Sequence, residues 1–444
     1  MPAFPLVPQS EQDSDNRSAN TARMVNCYIE PNGSEVVIKS VLGTVAFASL
    51  AGAFPRAVAE IGDAIFIAQG GRLYEISVSG TIQDRGVIVD SLETTISGND
   101  SNVTVVAGGR YFVWDGTTLS EPTTGAFSSF GSVSYFGSLT VLTELNGSRV
   151  QWSDVFDPTT LGGLSFATAD AYDDKILRGI SVSGAFWIMK ETSLERWYQN
   201  GADLAPVAGG SRQIGLKAYN LVGLLPDGAF FVSSDGHVRL LSSSFQIISN
   251  RAVETAIEQG DATHCFYYQD EGHGFCVVRF SDRPSWVFDL ATGLWHERAE
   301  SDTLEPWSAV GSARAQGDWY VPALSGPVYK LSRVHEDATG PLIRQVTSKT
   351  MENDGARFRI SRFEAQARTG HSNLGRDASI MLEMSRDFGE TWSDPKVRSL
   401  GGIGDHGQRM VWRRLGQFRQ ATARLSWSDV SELPVKNEVF VDVS

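Results

Sequence analysis

The chain has 444 residues, 44 of them Gly, and 10% are aromatic; that is long for one ordinary core and suits a repeat-built domain with a smaller companion. No stretch approaches the roughly 20 apolar residues of a membrane span, and apolar runs at helical spacing are almost absent, so many short strands joined by Gly turns are expected. The net charge of −14 is uneven: residues 1–339 hold 22 Lys+Arg against 39 Asp+Glu, residues 340–444 hold 16 against 13, and the acidic body lacks the cationic excess that gripping nucleic acid requires.

Residues 1–35 read as an arm. The first 20 are polar, with Pro at 2, 5 and 8 and several acids, where a secretory signal needs a basic start and an apolar run. Residues 24–30, MVNCYIE, can pair as one strand before Pro31-Asn32-Gly33. A frayed terminus is one reading of such a segment. An arm packed on a neighbour is the other, because Tyr28 and Ile29 call for burial.

From residue 62 a unit recurs: a Gly or small polar residue, a short apolar strand, a turn, and a second strand with an aromatic. It starts at 62, 101, 137, 184, 228, 272 and 317, at spacings of 39, 36, 47, 44, 44 and 45. That is the length of a four-stranded propeller blade. The first strands are apolar through the middle, as strands covered on both faces are, and radial stacking buries them. Seven units, two of them closely spaced, allow seven blades or six with an extra hairpin. A stacked β-solenoid is the alternative, but its repeats are usually shorter.

The clearest unit is 272–298, GHGFCVVRFSDRPSWVFDLATGLWHER. Residues 275–280 form one strand, 281–284 break it, and Trp286, Phe288 and Leu290 share a face of the next at a period of two. Trp286 and Trp295 read as blade packing; His273, His296 and Glu297 read as turn and strand-end residues. Just before this unit, Arg251–Gln259 is the one helical candidate. Ala252, Thr255, Ala256 and Gln259 give it a small-residue face, which predicts an insertion between blades and no core helix.

The repeat stops near 335. His335-Glu336-Asp337-Ala338-Thr339-Gly340-Pro341 suits a linker. Alternating segments at 357–367, 380–385, 410–415, 423–427 and 438–443 then predict a small β-sandwich. The expected organisation is therefore an arm at 1–35, a β-propeller of six or seven blades at 36–335, and a β-sandwich-like domain at 336–444.

Few motifs carry chemistry. Cys27, Cys265 and Cys276 are too few, and odd in number, for a disulfide framework and fit a reducing cytosol. His264, Cys265, His273 and Cys276 invite a metal, but strand neighbours point to opposite faces, which favours ordinary packing. Gly402-Ile403-Gly404-Asp405-His406-Gly407 matches a dinucleotide fingerprint; a β-run follows it, so no helix N-terminus awaits a pyrophosphate. Residues 385–392, SRDFGETW, resemble the Asp-box of sialidase-type propellers, in which Asp and Ser satisfy turn amides and Trp packs beneath. That raises a glycan-binding propeller or glycan hydrolase as the alternative function, which would need paired carboxylates in one pocket. Residues 409–419, RMVWRRLGQFR, are the densest basic run. A solvated strand face, an acidic protein surface and DNA all remain open as its partner. No catalytic, cofactor-binding or metal-binding residue is assigned, and no enzymatic activity is expected.

Several segments together resemble one family. Asn26-x-Tyr28-x-Glu30, within 23–30, resembles its N-terminal motif. Ser165-Phe166-Ala167-Thr168-Ala169-Asp170-Ala171 with Asp174-Lys175-Ile176 resembles its middle segment. Residues 188–201, with Glu195 and Trp197, match a further piece, 272–298 is the nearest match, and Trp412-Arg413-Arg414-Leu415-Gly416 repeats its C-terminal motif. Cys27 and Ile29 stand where Leu and Pro are more usual. The family is the packaged-DNA stabilisation protein, or tail hub (nozzle), of short-tailed bacteriophages. The resemblance implies a structural virion protein of the tail, made in the bacterial host cytoplasm. It implies a homo-oligomeric ring, typically a hexamer, below the portal and adaptor. It further implies contacts with tailspike, fibre or needle proteins, and DNA passing through the lumen without sequence-specific binding. No cofactor and no membrane span are implied.

Overall fold

The computed structural model describes residues 3–6, 21–33, 35–52, 54–122, 125–242, 244–300, 302–371, 378–429 and 434–443. Each of the seven sequence units is the middle pair of strands of one blade. Blades 1 to 5 span residues 55–87, 94–120, 130–168, 176–206 and 222–247, and blade 6 spans 262–300. Blade 7 takes three strands from 313–332 and its fourth, Gly43–Ser49, from near the N-terminus. The propeller thus has seven blades.

The middle strands were readable because both faces are covered. Ala185–Lys190, Gly228–Val232 and His273–Phe280 are buried at every position. Outer strands such as Ile82–Val87 and Phe245–Ile247 are largely exposed. Between blades 3 and 4, Leu139, Val141 and Trp152 meet Phe186, Ile188 and Trp197. Between blades 7 and 1, Tyr320 and Val328 meet Ile65, Ile67 and Ile76. Each such side chain contributes about 1.5–3 kcal/mol by leaving water. Inner strands also touch around the axis, and Ala313–Ala315 against Pro55–Ile61 closes the circle.

The helix Arg251–Gln259 sits between blades 5 and 6, capped by Asn250, whose side chain accepts from the Val253 amide at 3.0 Å. Here the structure corrects the sequence reading. Val253 and Ile257, four residues apart, widen the Ala252/Ala256 stripe enough to bury it in the core of blades 4 to 6, while Gln259 is exposed.

Beyond the propeller lies a two-sheet sandwich. One sheet runs Cys27–Asn32, Glu35–Ser40, Val435–Val443, Phe358–Ala367, Met410–Phe418, with Ala3–Pro5 also paired to Val435–Val443. The other runs Arg344–Thr347, Gln420–Trp427, Ser379–Ser385, Lys396–Ser399. Phe363, Trp412, Leu382, Trp427 and Leu6 meet between them. This second sheet continues into the propeller. Arg23–Val25 pairs antiparallel with Arg344–Thr347 and parallel with Leu294–Glu300 of blade 6, giving one eleven-stranded sheet across both domains. The polar stretch after residue 334 is a small hairpin, Glu336–Asp337 against Gly340–Pro341, with Asp337 buried.

Candidate functional site

The stretch 272–298 is where the two domains join. Its last strand is flanked by an N-terminal segment that turns on Asn26, whose φ of 57° is left-handed, a region Asn tolerates better than most residues. The Asn26 amide donates to the Glu297 carbonyl at 2.8 Å, and its own carbonyl accepts from the Val41 amide at 3.1 Å. The Asn26 side chain accepts from the Ala299 amide at 2.8 Å and donates to the Ile343 carbonyl at 2.8 Å. One residue therefore ties blade 6 to the chain leaving the propeller.

Two arginines lock this arrangement. Arg23 clamps Glu297 in a bidentate pair, Nε to Oε1 at 2.9 Å and Nη2 to Oε2 at 2.7 Å, the geometry that makes Arg–carboxylate pairs strong. Arg298 is 1% exposed and reaches Asp337 Oδ1 at 2.7 Å, Asn26 Oδ1 at 3.0 Å and the Ala299 carbonyl at 2.7 Å. Asp337 also accepts from Thr44 at 3.1 Å, on the strand that completes blade 7.

Of the residues expected at turns and strand ends, His273 does open its strand, whereas His296 and Glu297 lie inside the strand Leu294–Glu300, which corrects the expectation for those two; all three are buried. His273 bridges Asp289 at 2.8 Å and Glu30 at 3.0 Å. Tyr28 packs on His273, Phe275 and His296 with ring centroids 4.9, 5.2 and 6.2 Å away. Burial pushes the His296 pKa down to about 4, with Asp289 opposing and His273 and Arg298 assisting. Burial likewise pushes the Cys27 thiol up to about 12, so it stays protonated and unreactive. The sequence reading missed this network. Its available signal was the adjacent His296, Glu297 and Arg298 in a strand that also carries Trp295 and Ala299.

The other motifs fall elsewhere. His264 faces the propeller axis, His273 sits at the junction, and Cys265 and Cys276 lie in the core of blades 4 to 6. No cluster of three metal-ligating side chains forms among the described residues. The Gly402–Gly407 segment is a loop between Lys396–Ser399 and Met410–Phe418. The Asp-box turns a sandwich hairpin. Asp387 accepts from the Thr391 amide at 2.9 Å and from Ser385 at 2.7 Å, and the Gly389 amide donates to Ser385 at 2.8 Å. Hydrogen bonds from Thr391 and then Ser385 hold the Asp387 pKa down to about 2. Trp392 is half-buried beneath the Arg424 guanidinium, 4.0 Å from its ring centroid.

The basic run is a strand with two faces. Met410, Trp412, Leu415 and Phe418 enter the sandwich core; Arg413 and Arg414 face solvent. A bulge at Arg414, φ 57°, sets this spacing opposite the register shift between Ile360 and Arg362. Arg359 on the neighbouring strand, Arg357 just before that strand and Arg419 just after this one are exposed alongside. Arg357, Arg359, Arg413 and Arg414 have no ion-pair partner among the described residues, whereas Arg409 pairs with Glu364 at 2.8 Å. The aromatics point inward, so no stacking platform for nucleobases accompanies these charges.

Comparison with known proteins agrees with this architecture domain by domain. The family model for the β-propeller of bacteriophage P22 Gp10 matches residues 7–331, and that for its β-sandwich matches 343–427. The chain belongs to the bacteriophage P22 Gp10 family. This is a family of structural tail proteins, the tail hub or nozzle of a short-tailed phage, which places the protein in the virion tail and points away from catalysis. No curated protein matches the chain. Among solved structures it is similar to BamB from Moraxella catarrhalis (13% identity, TM-score 0.41, 75% of this chain and 96% of that one). It is also similar to YCF48 from Cyanidioschyzon merolae (12%, 0.45, 66% and 99%) and to the computationally designed Ika8 protein (12%, 0.40, 65% and 99%). Likenesses this distant carry no functional argument. No helix among the described residues is long and apolar enough to cross a membrane.

Proposed function

We propose that this Gp10-family protein builds a ring, a hexamer in the first instance, that extends the DNA channel below the portal and adaptor. In this reading the ring retains packaged DNA and docks tail fibres, spikes or a needle, without enzymatic activity. The observation that carries the proposal is the family match over both domains. Two physical features support it. First, the space on the propeller axis is about 160 Å³, whereas the major groove of a DNA duplex alone is about 12 Å wide. A duplex therefore has to pass between subunits and not through one. Second, the body of 1–339 carries net −17 and the segment 340–444 net +3. Asp and Glu of the body line the channel, repelling phosphate so that DNA slides. The exposed arginines of the C-terminal domain 336–444 make the ring or adaptor contacts; the described residues of the N-terminal segment 1–35 are largely built into the subunit's own sheets and core.

Imaging purified virions with the protein labelled, at a resolution that shows the channel wall, tests the proposal. A ring around the tail axis below the adaptor with a negative wall is expected. A label outside the tail refutes the role. A wall neutral or positive along its whole length refutes the acidic lining.

A further inference from the structure

The inner strands of the propeller converge on a cavity of about 160 Å³, and its wall is cationic. Arg56, Arg178 and His264 line it together with Thr94, Thr95 and Asn220, and no carboxylate lines it among the described residues. Arg178 is the least compensated of these. Its Nε is buried without a partner, its Nη1 makes only a long bond of 3.4 Å to the Tyr219 carbonyl, and its guanidinium lies 5.5 Å from the centre of the Tyr219 ring. The Tyr219 hydroxyl is already committed, donating to the Gly131 carbonyl at 2.7 Å. His264 presents a second orphan, a buried Nδ1 without a partner. Arg56 is paired with Asp90 at 2.7 Å and brings a partly neutralised charge. Behind the wall Arg279 donates to the Trp307 carbonyl at 2.9 Å and to Thr263 at 2.7 Å, both neutral acceptors.

A guanidinium whose Nε is cut off from solvent, with no counter-charge beside it, is a costly arrangement, because desolvation is not repaid by a nearby anion. The field it creates is felt across the cavity. Burial first, and then the charges of Arg279, Arg178 and Arg56, push the His264 pKa down to about 4. Burial also lowers the Arg178 pKa, and only the Tyr219 phenol opposes it. Of the other buried cations, Lys190 has Asp174 at 2.8 Å and Arg298 has Asp337 beside it, while Arg344 donates to the backbone carbonyls of His335 and Asp429.

We infer that the axial cavity of the propeller is a binding site for a small oxyanion of the phosphate or sulfate class, held by Arg178 and His264 with Arg56 at its side. The planar fork of Arg178 matches a tetrahedral oxyanion, and the Nδ1–H tautomer of His264 supplies a further donor. One water occupies roughly 30 Å³ of liquid, so the cavity has room for such an anion with a few waters around it. The inference rests on the cavity alone and does not depend on the ring proposed above.

The test is thermal unfolding of the full-length protein titrated with inorganic phosphate, against sodium chloride at matched ionic strength. A saturable rise in Tm is expected, following the logarithm of one plus the ligand-to-Kd ratio. Arg178→Met should unfold at the same or a higher temperature without phosphate and lose at least about tenfold in apparent phosphate affinity. His264→Gln should lose a smaller factor, and Arg413→Gln, on the distant sandwich face, should lose none. If Arg178→Met does not fold, Arg178→Lys keeps the charge without the fork and should bind phosphate more weakly than the parent, as read by calorimetry. A phosphate effect no larger than that of chloride, or an unchanged response in the Arg178 and His264 variants, overturns the inference.

Discussion

Arg298 offers the sharpest test of how the domains are held together. Its guanidinium and the Asp337 carboxylate are 1% and 2% exposed. Arg298→Met keeps much of the stem volume and removes the charge. Asp337 Oδ1 then retains only the Thr44 hydroxyl at 3.1 Å, and Oδ2 has no partner in the first place. Breaking a buried pair from one side costs about 3–5 kcal/mol, and the contact of the guanidinium with the Trp307 ring, 4.9 Å to its centre, adds roughly 0.5–2 kcal/mol. Asn26 Oδ1 keeps its bond from the Ala299 amide at 2.8 Å, so the backbone turn survives. Urea unfolding followed by tryptophan fluorescence should show a lower midpoint with an unchanged slope. The double variant Arg298→Met/Asp337→Leu removes both charges and should recover most of the loss, since apolar replacements of buried pairs are often neutral or stabilising. A single-variant cost below about 1 kcal/mol, the value of a surface pair, would refute the reasoning. So would a double variant as unstable as the single.

Three further outcomes are expected. The folded-state pKa of His296 lies near 4, below its ordinary value of 6.5. The stability it contributes is therefore full above pH 6.5 and is lost as pH falls through 6.5 toward 4, by up to about 3 kcal/mol. The stability-against-pH slope in that window should flatten in His296→Gln, and an unchanged slope would remove His296 as its source. Leu6 is wholly buried in the sandwich core and its amide donates to the Asn437 carbonyl at 3.0 Å. Leu6→Ala should cost about 2–5 kcal/mol, seen by calorimetry as a lowered transition, and deletion of residues 1–20 should do at least as much. Arg413→Gln/Arg414→Gln should leave unfolding within about 0.5 kcal/mol of the parent but weaken incorporation into virions, scored by blotting purified particles. Equal incorporation would take the basic face out of assembly.

What the sequence disclosed follows from which contacts are local. Each blade was legible through its two middle strands, because coverage on both faces forces runs such as 185–190 and 273–280 to be apolar. The fourth strand of blade 7 was not, because Gly43–Ser49 pairs with Pro327–Ser332 and neither segment carries a mark of the other. The same holds for Arg23–Val25, a three-residue strand too short for any period to register. The Asp-box, by contrast, is a local turn and was readable in full. Trp412 and Phe418 between arginines were ambiguous until the bulge at Arg414 fixed which side chains enter the core. The axial cations could not have been found from sequence, since Arg56, Arg178 and His264 lie more than 80 residues apart and only closure of the ring of blades brings them to one wall.

The shared sheet also decides where this molecule can and cannot move. The chain leaves the sandwich for the propeller after Ser40 and returns through the hairpin at 336–341; the hairpin is bonded to the last strand of blade 6 through Asp337 and Arg298, and the outgoing crossing is tied to it through Asn26, which bonds both Val41 and Glu297. Separating the domains would unzip Val25 from Glu297, open the Arg23–Glu297 clamp and strand Arg298 and Asp337 without each other. A single net hydrogen bond is worth only about 1 kcal/mol, but these are lost together, and the two buried charges carry the larger penalty. Hinges work differently, by letting a few terminal or loop residues absorb the rotation. Here the residues at the crossing are buried, with Asn26 at 0% and Asp337 at 5% exposure. Propeller and sandwich therefore behave as one body, and in the ring proposed above any rearrangement that opens or closes the channel has to occur at the surfaces between subunits.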